Sequence, residues 1–126
     1  MLGKPIVSES PESKRITRGD VWTVNLEPVR GSEMSKEWPC LVVSNDIANR
    51  YSPVVTIVAV TSQAPKKSYP FMVEMPENVG MPKRSWITCA HIRTVDKTRL
   101  GHFVTRLGRI TLEEVNEALS EQLDIR

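Results

Sequence analysis

Two short runs of continuous apolar residues, Leu41-Val42-Val43 and Ile57-Val58-Ala59-Val60, constrain this chain most. Neither is long enough for a buried helix, both are rich in β-branched residues, and they fit central strands covered on both faces. They lie within residues 18–61, where three strand-like runs (Asp20 to Leu26, Pro39 to Ser44, Val54 to Thr61) are separated by two polar segments dense in Gly, Ser, Asn and charge. Loops of that composition, held between strands that must be buried, are where a small β-domain carries its chemistry.

The surrounding pattern extends the same architecture. Trp22, Val24 and Leu26 alternate with Val21, Thr23 and Asn25, which predicts a half-buried first strand. Pro28, Gly31 and Ser32 break that run and open a loop to Glu37. Asp46 to Arg50 predicts one helical turn ending before Pro53. Ala64 to Tyr69 reads as a basic loop. Phe71, Val73 and Met75 alternate again, and a turn at 76–82 precedes a strand from Ser85 to Ile92. Thr111-Leu112-Glu113-Glu114 has the form of a capping box, and Leu112, Val115, Leu119 and Leu123 then recur at helical spacing. Five or more short strands and one C-terminal helix predict a mainly β fold, a small antiparallel barrel, over residues 18–126. Residues 1–17, with Pro5 and Pro11 among Ser, Glu and Lys, are expected to form a mobile arm.

Charge and cysteine usage narrow the function classes. With 17 basic and 15 acidic residues the formal charge is +2, so a nucleic-acid ligand would need a local basic face rather than a basic chain. No apolar run approaches the ~20 residues of a membrane span, and the polar segment from Met1 to Lys14 has no signal-like core, which predicts a cytoplasmic protein without membrane contact. Cys40 and Cys89 sit inside apolar strand-like runs and are expected to be buried free thiols. Two cysteines and two histidines at unrelated spacing predict no zinc site, and no other cofactor is called for.

The order Gly19-Asp20-Val21-Trp22, then Leu26-x-Pro28-Val29-x-Gly31-Ser32-Glu33, Pro39-Cys40-Leu41-Val42-Val43, Asn45-Asp46-Ile47-x-Asn49-Arg50 and Val60-Thr61 resembles the MazF/PemK toxins, small endoribonucleases also termed mRNA interferases. The resemblance continues at Ile92-Arg93-Thr94-Val95-Asp96-Lys97 and covers nearly all of the chain after residue 17. It implies the SH3-like barrel of the MazF/PemK/CcdB toxins, a homodimer, single-stranded RNA as substrate and an antitoxin protein as partner. Cleaving RNA without a metal requires a base for the 2′-hydroxyl proton, an acid for the leaving 5′-oxygen, and donors or cations around the charged phosphorane.

Carried over position by position, the resemblance gives Glu33 the acidic place in its loop, as general base or as a group orienting the nucleophile, with the Ser32 hydroxyl beside it. An ordinary solvated loop residue is the bland reading of Glu33. Thr61 matches a threonine that contacts the scissile phosphate, as a supporting donor, and Ser62, Gln63, Ser85 and Arg93 are expected RNA contacts. His91 falls where some relatives place residues that act on or bind RNA, while Ala90 replaces an acidic residue that some of them use. An unperturbed imidazole titrates near pH ~6.5, which suits both proton roles, although a core histidine bonded to backbone is the competing reading. Arg93, Arg99, Lys66, Lys67, Lys83 and Arg84 are candidates for a basic groove, with Trp38, Tyr69 or Trp86 for base stacking.

One position departs from the family. Just before the proline of the second strand these toxins usually carry an arginine implicated in catalysis, and here that position is Trp38. An indole neither neutralises a phosphorane nor forks to two oxygens as a guanidinium does. Three readings follow: an attenuated or inactive ribonuclease, one in which Arg30 of the same loop supplies the cation, or a substitution selected against toxicity. A reading of another class is a non-catalytic RNA- or antitoxin-binding protein, or a gyrase-targeting relative, on the same barrel.

Overall fold

The computed structural model describes residues 15–26 and 36–125. Six strands and two helices follow in chain order: β1 (Asp20–Asn25), β2 (Glu37–Val42), α1 (Asp46–Tyr51), β3 (Val54–Thr61), β4 (Met72–Glu74), β5 (Trp86–Asp96), β6 (Leu100–Arg106) and α2 (Arg109–Leu123), with one 3-10 turn at Lys97–Arg99 between β5 and β6. The strands form one antiparallel sheet in the order β4-β5-β3-β2-β1-β6.

Both faces of this sheet are covered, as the continuous apolar runs require. On one face Val21, Leu41, Val58, Val60, Ile87 and Cys89 pack with Val115 and Ala118 of α2. On the other, Trp22, Val24, Cys40, Val42, Val55 and Ile57 pack with Val95, Leu100 and Ile16. Successive strand side chains point to opposite faces, so adjacent residues such as Val21 and Trp22 enter different cores. The first strand is therefore buried on both faces rather than on one, with Val21 and Val24 both at 0% exposure.

The sheet also curls. Gly80, in the connection from β4 to β5, has φ +89, and a Cβ built there would lie 3.3 Å from the Cβ and Oγ1 of Thr105 in β6. Gly80 thus meets the opposite edge strand, bringing the two ends of the strand order towards each other in a barrel-like fold.

Several boundaries differ from the sequence reading. Ile16 is buried at 6% and the Thr17 amide donates to Asp20 Oδ2 at 2.9 Å, so the packed domain begins before Arg18; residues 1–14 of the expected arm lie outside the described residues. Glu37 and Trp38 belong to β2, paired with Asn25 and Val24, rather than to the preceding loop. Pro39 is tolerated within β2 because the ladder to β3 starts only at Cys40 opposite Ala59, so its missing N–H falls outside that ladder. The fifth strand runs on to Asp96 and contains Arg93-Thr94-Val95-Asp96. Thr111 is not the cap of the last helix: α2 starts at Arg109 behind an extended Gly108, and Thr111 is buried within its first turn. Asp20 is wholly buried and satisfied by Trp22 Nε1 at 3.2 Å and Arg106 Nε at 2.7 Å, a tie between β1 and β6.

Candidate active site

The end of the sheet where β2 begins, β3 stops and β5 starts gathers most of the polar residues of interest. Thr61 pairs with Trp86. Cys40 lies opposite Ala59, and continuing that register by two residues sets Trp38 level with Thr61. A groove of about 810 Å³ opens there. Trp38 and Pro39 line it from β2, Thr61 to Pro65 from the end of β3, Tyr69, Phe71 and Met72 from β4 and its approach, and Pro82, Lys83, Ser85, Thr88 and His91 from β5 and its approach.

His91 reaches this groove through an irregularity of the backbone. Val58 pairs with Ile92 but Ala59 pairs with Thr88, leaving residues 89–91 of β5 without counterparts on β3. The bulged segment is held on its other side by the Cys89 amide, which donates to the Phe71 carbonyl at 2.8 Å. Bulges re-aim side chains, and they concentrate beside functional sites. Here Cys89 turns into the core at 0% exposure whereas His91 is exposed on the groove. A buried core histidine is thus the wrong picture of His91.

The other expected site residues divide into three sets. Thr61, Ser62, Gln63 and Trp38 line the groove, and Thr61 Oγ1 accepts from the Gln63 amide at 3.1 Å, which fixes the hydroxyl and leaves its own hydrogen as a donor. Ser85 lines it too, but is 4% exposed, and its hydroxyl donates to the Lys83 carbonyl at 2.9 Å, so it holds a turn. Arg93, opposite Ile57, is not among the groove residues. Arg30, Ser32 and Glu33 lie outside the described residues.

A family model for PemK-like, MazF-like toxins of type II toxin-antitoxin systems matches residues 17–123. The chain belongs to this family. It is similar to Endoribonuclease EndoA of Bacillus subtilis (strain 168), with 40% identity over 109 residues that span 86% of this chain and 94% of the relative. It is also similar to the MazE-MazF structure (Form-II) from Deinococcus radiodurans, at 26% identity and TM-score 0.75 over 90% of this chain and 99% of that one. A third likeness is to an endoribonuclease in complex with its cognate antitoxin from a mycobacterial species, at 25% identity and TM-score 0.73 over 88% of this chain and 97% of that one.

The candidate cations for this MazF-like groove differ in how far they are committed, and Lys67, Arg84 and Arg99 are not among its lining residues. Arg84 Nε is 2.5 Å from Glu74 Oε2, a contact that holds the glutamate carboxyl below its usual range, and the Arg84 guanidinium also lies 5.2 Å from the Trp86 ring centroid. Arg99 Nη1 donates to the Asn25 carbonyl at 3.0 Å. Lys67 Nζ sits 5.7 Å from the Tyr69 ring, which stacks on Phe71 at 5.0 Å. Lys66 and Lys83 line the groove, with no salt bridge to either among the described residues. The thiols are poor nucleophiles, since burial pushes Cys40 up to about 12 and Cys89 up to about 11. Among the described residues no three His, Cys, Asp or Glu side chains converge as a metal site. Phe71 and the buried Thr88 are groove residues that the sequence reading passed over; only the alternation through Phe71 pointed at either.

Proposed function

We propose that the chain is the endoribonuclease toxin of a toxin-antitoxin pair, a cytoplasmic homodimer that cuts single-stranded RNA in this groove and is restrained by its antitoxin. The observation that carries the reading is the convergence of Thr61, Ser62, Gln63, His91 and Trp38 on one groove at the end of the sheet. A MazF-like family model over 17–123 and the endoribonuclease name of the similar Bacillus subtilis protein support it. The complex of a similar mycobacterial endoribonuclease with its antitoxin supports the partner.

The chemistry follows from what the side chains offer. The 2′-oxygen of one nucleotide attacks the adjacent phosphorus, the bond to the 5′-oxygen breaks, and a 2′,3′-cyclic phosphate and a 5′-hydroxyl result. The 2′-hydroxyl proton must leave and the 5′-oxygen must gain one; the His91 imidazole on the groove serves one of these transfers and Glu33 the other. Thr61 donates to a phosphate oxygen, and Trp38 offers a face on which a base stacks. Incubating the protein with mixed single-stranded RNA in EDTA tests this. Cleavage is expected at undiminished rate, with cyclic-phosphate ends; activity that vanishes with chelator and returns with magnesium contradicts the mechanism. Binding without cutting would favour the second reading, an RNA- or antitoxin-binding relative, for which the indole at position 38 is the supporting observation.

A further inference from the structure

We propose that Lys83 supplies the positive charge at the scissile phosphate in this chain, the part that the family's arginine would have played at position 38, and that Lys66 holds a neighbouring phosphate. The inference deepens the endoribonuclease reading and rests on it.

Forming the bond from the 2′-oxygen to phosphorus builds negative charge on the phosphoryl oxygens, and removing one donor from such a site typically costs roughly 100- to 1000-fold in rate. Trp38 brings an apolar ring to its stretch of the groove and Thr61 a neutral hydroxyl. Lys66 and Lys83 are the lysine or arginine side chains among the described groove residues. Other basic side chains nearby are committed elsewhere, Arg84 to Glu74 and Arg99 to the Asn25 carbonyl, while Arg93 stands outside the lining.

Of the two lysines, Lys83 has the better-fixed main chain. Its carbonyl accepts from the Ser85 hydroxyl at 2.9 Å, Ser85 is 4% exposed, and the next residue, Trp86, pairs with Thr61. The turn carrying Lys83 is therefore tied to the strand end that presents the Thr61 hydroxyl. Lys66 belongs to the connection between β3 and β4, where a compact, flexible ammonium suits a phosphate one step away. Lys83 takes no part in the proton transfers: the 2′-hydroxyl proton goes to the base and a proton from the acid reaches the 5′-oxygen.

Single-turnover cleavage of an RNA oligonucleotide, and binding of the same oligonucleotide with a 2′-deoxy substitution at the cut, separate charge at the reacting phosphate from general attraction. Lys83→Met is expected to slow cleavage by about a hundredfold at saturating RNA. Lys83→Arg should retain most activity, and Trp38→Arg in the Lys83→Met background should recover at least about tenfold, since a tenfold gain needs only ~1.4 kcal/mol. Both Lys83→Met and Lys66→Met should lower the salt slope of binding, by nearly one phosphate contact each. Lys83→Met cutting as fast as the wild type overturns the assignment, as does Arg30→Ala abolishing cleavage that Lys83→Met spares. A wild-type protein that binds the uncleavable RNA but cuts none contradicts the ribonuclease reading instead. With no scissile phosphate, the lysine assignment falls with it.

Discussion

Trp38 is 46% exposed on the groove, which leaves its ring open to a flat ligand. Base stacking on an aromatic side chain is worth about 1–3 kcal/mol per base, which fits a side chain that holds the RNA while charge is handled elsewhere. Trp38→Ala should weaken binding of the uncleavable oligonucleotide by about tenfold or more, while Trp38→Phe retains most of the affinity. Unchanged affinity in Trp38→Ala, measured by titration, would remove the indole from the binding surface. The family resemblance made Thr61 and His91 visible as candidates, and for His91 the residue type added to it, because few side chains can both give and take a proton. Residue type did not separate Lys83 from Arg84, its neighbour in the chain. Only the tertiary contact of Arg84 with Glu74 at 2.5 Å shows that one of the two is already engaged.

At the scale of elements, the close approach of Gly80 to β6 is a specific packing requirement. With φ +89 and a built Cβ only 3.3 Å from Thr105, Gly80→Ala combines a disfavoured backbone region with crowding, and a loss of about 1–2 kcal/mol is expected. Chemical denaturation checks this, and an unchanged midpoint would mean that the contact between this connection and β6 gives way freely. The strands Asp20–Asn25 and Val54–Thr61 were legible because alternation and β-branched runs are local properties. By contrast β6, with Gly101, His102 and Phe103 near its start, has no clean period and exists through its pairing with β1, which the local sequence does not display. The start of α2 was misread for a related reason: Gly108 takes the extended cap conformation and buries Thr111 in the first turn, so a capping signature was present where packing used the threonine instead. The bulge at 89–91, which brings His91 to the groove, follows from the offset between the Val58 and Ala59 pairings and has no sequence signature of its own.

For the whole molecule, one curled sheet carries two apolar cores on its two faces, α2 closes one of them, and the groove opens where β2, β3 and β5 meet at one end. A rigid two-faced sheet is a suitable support for groups that must be held within fractions of an ångström of a reacting phosphate. The central claim is that RNA is cut in this groove, and cleavage by a His91→Ala variant in EDTA tests it most directly. A general acid or base contributes typically about 100- to 10000-fold, so the variant should cut single-stranded RNA at least ~100-fold more slowly than the wild type while keeping its affinity for the 2′-deoxy-substituted oligonucleotide. His91→Ala cutting at the wild-type rate would contradict the account and place the chemistry elsewhere on the molecule.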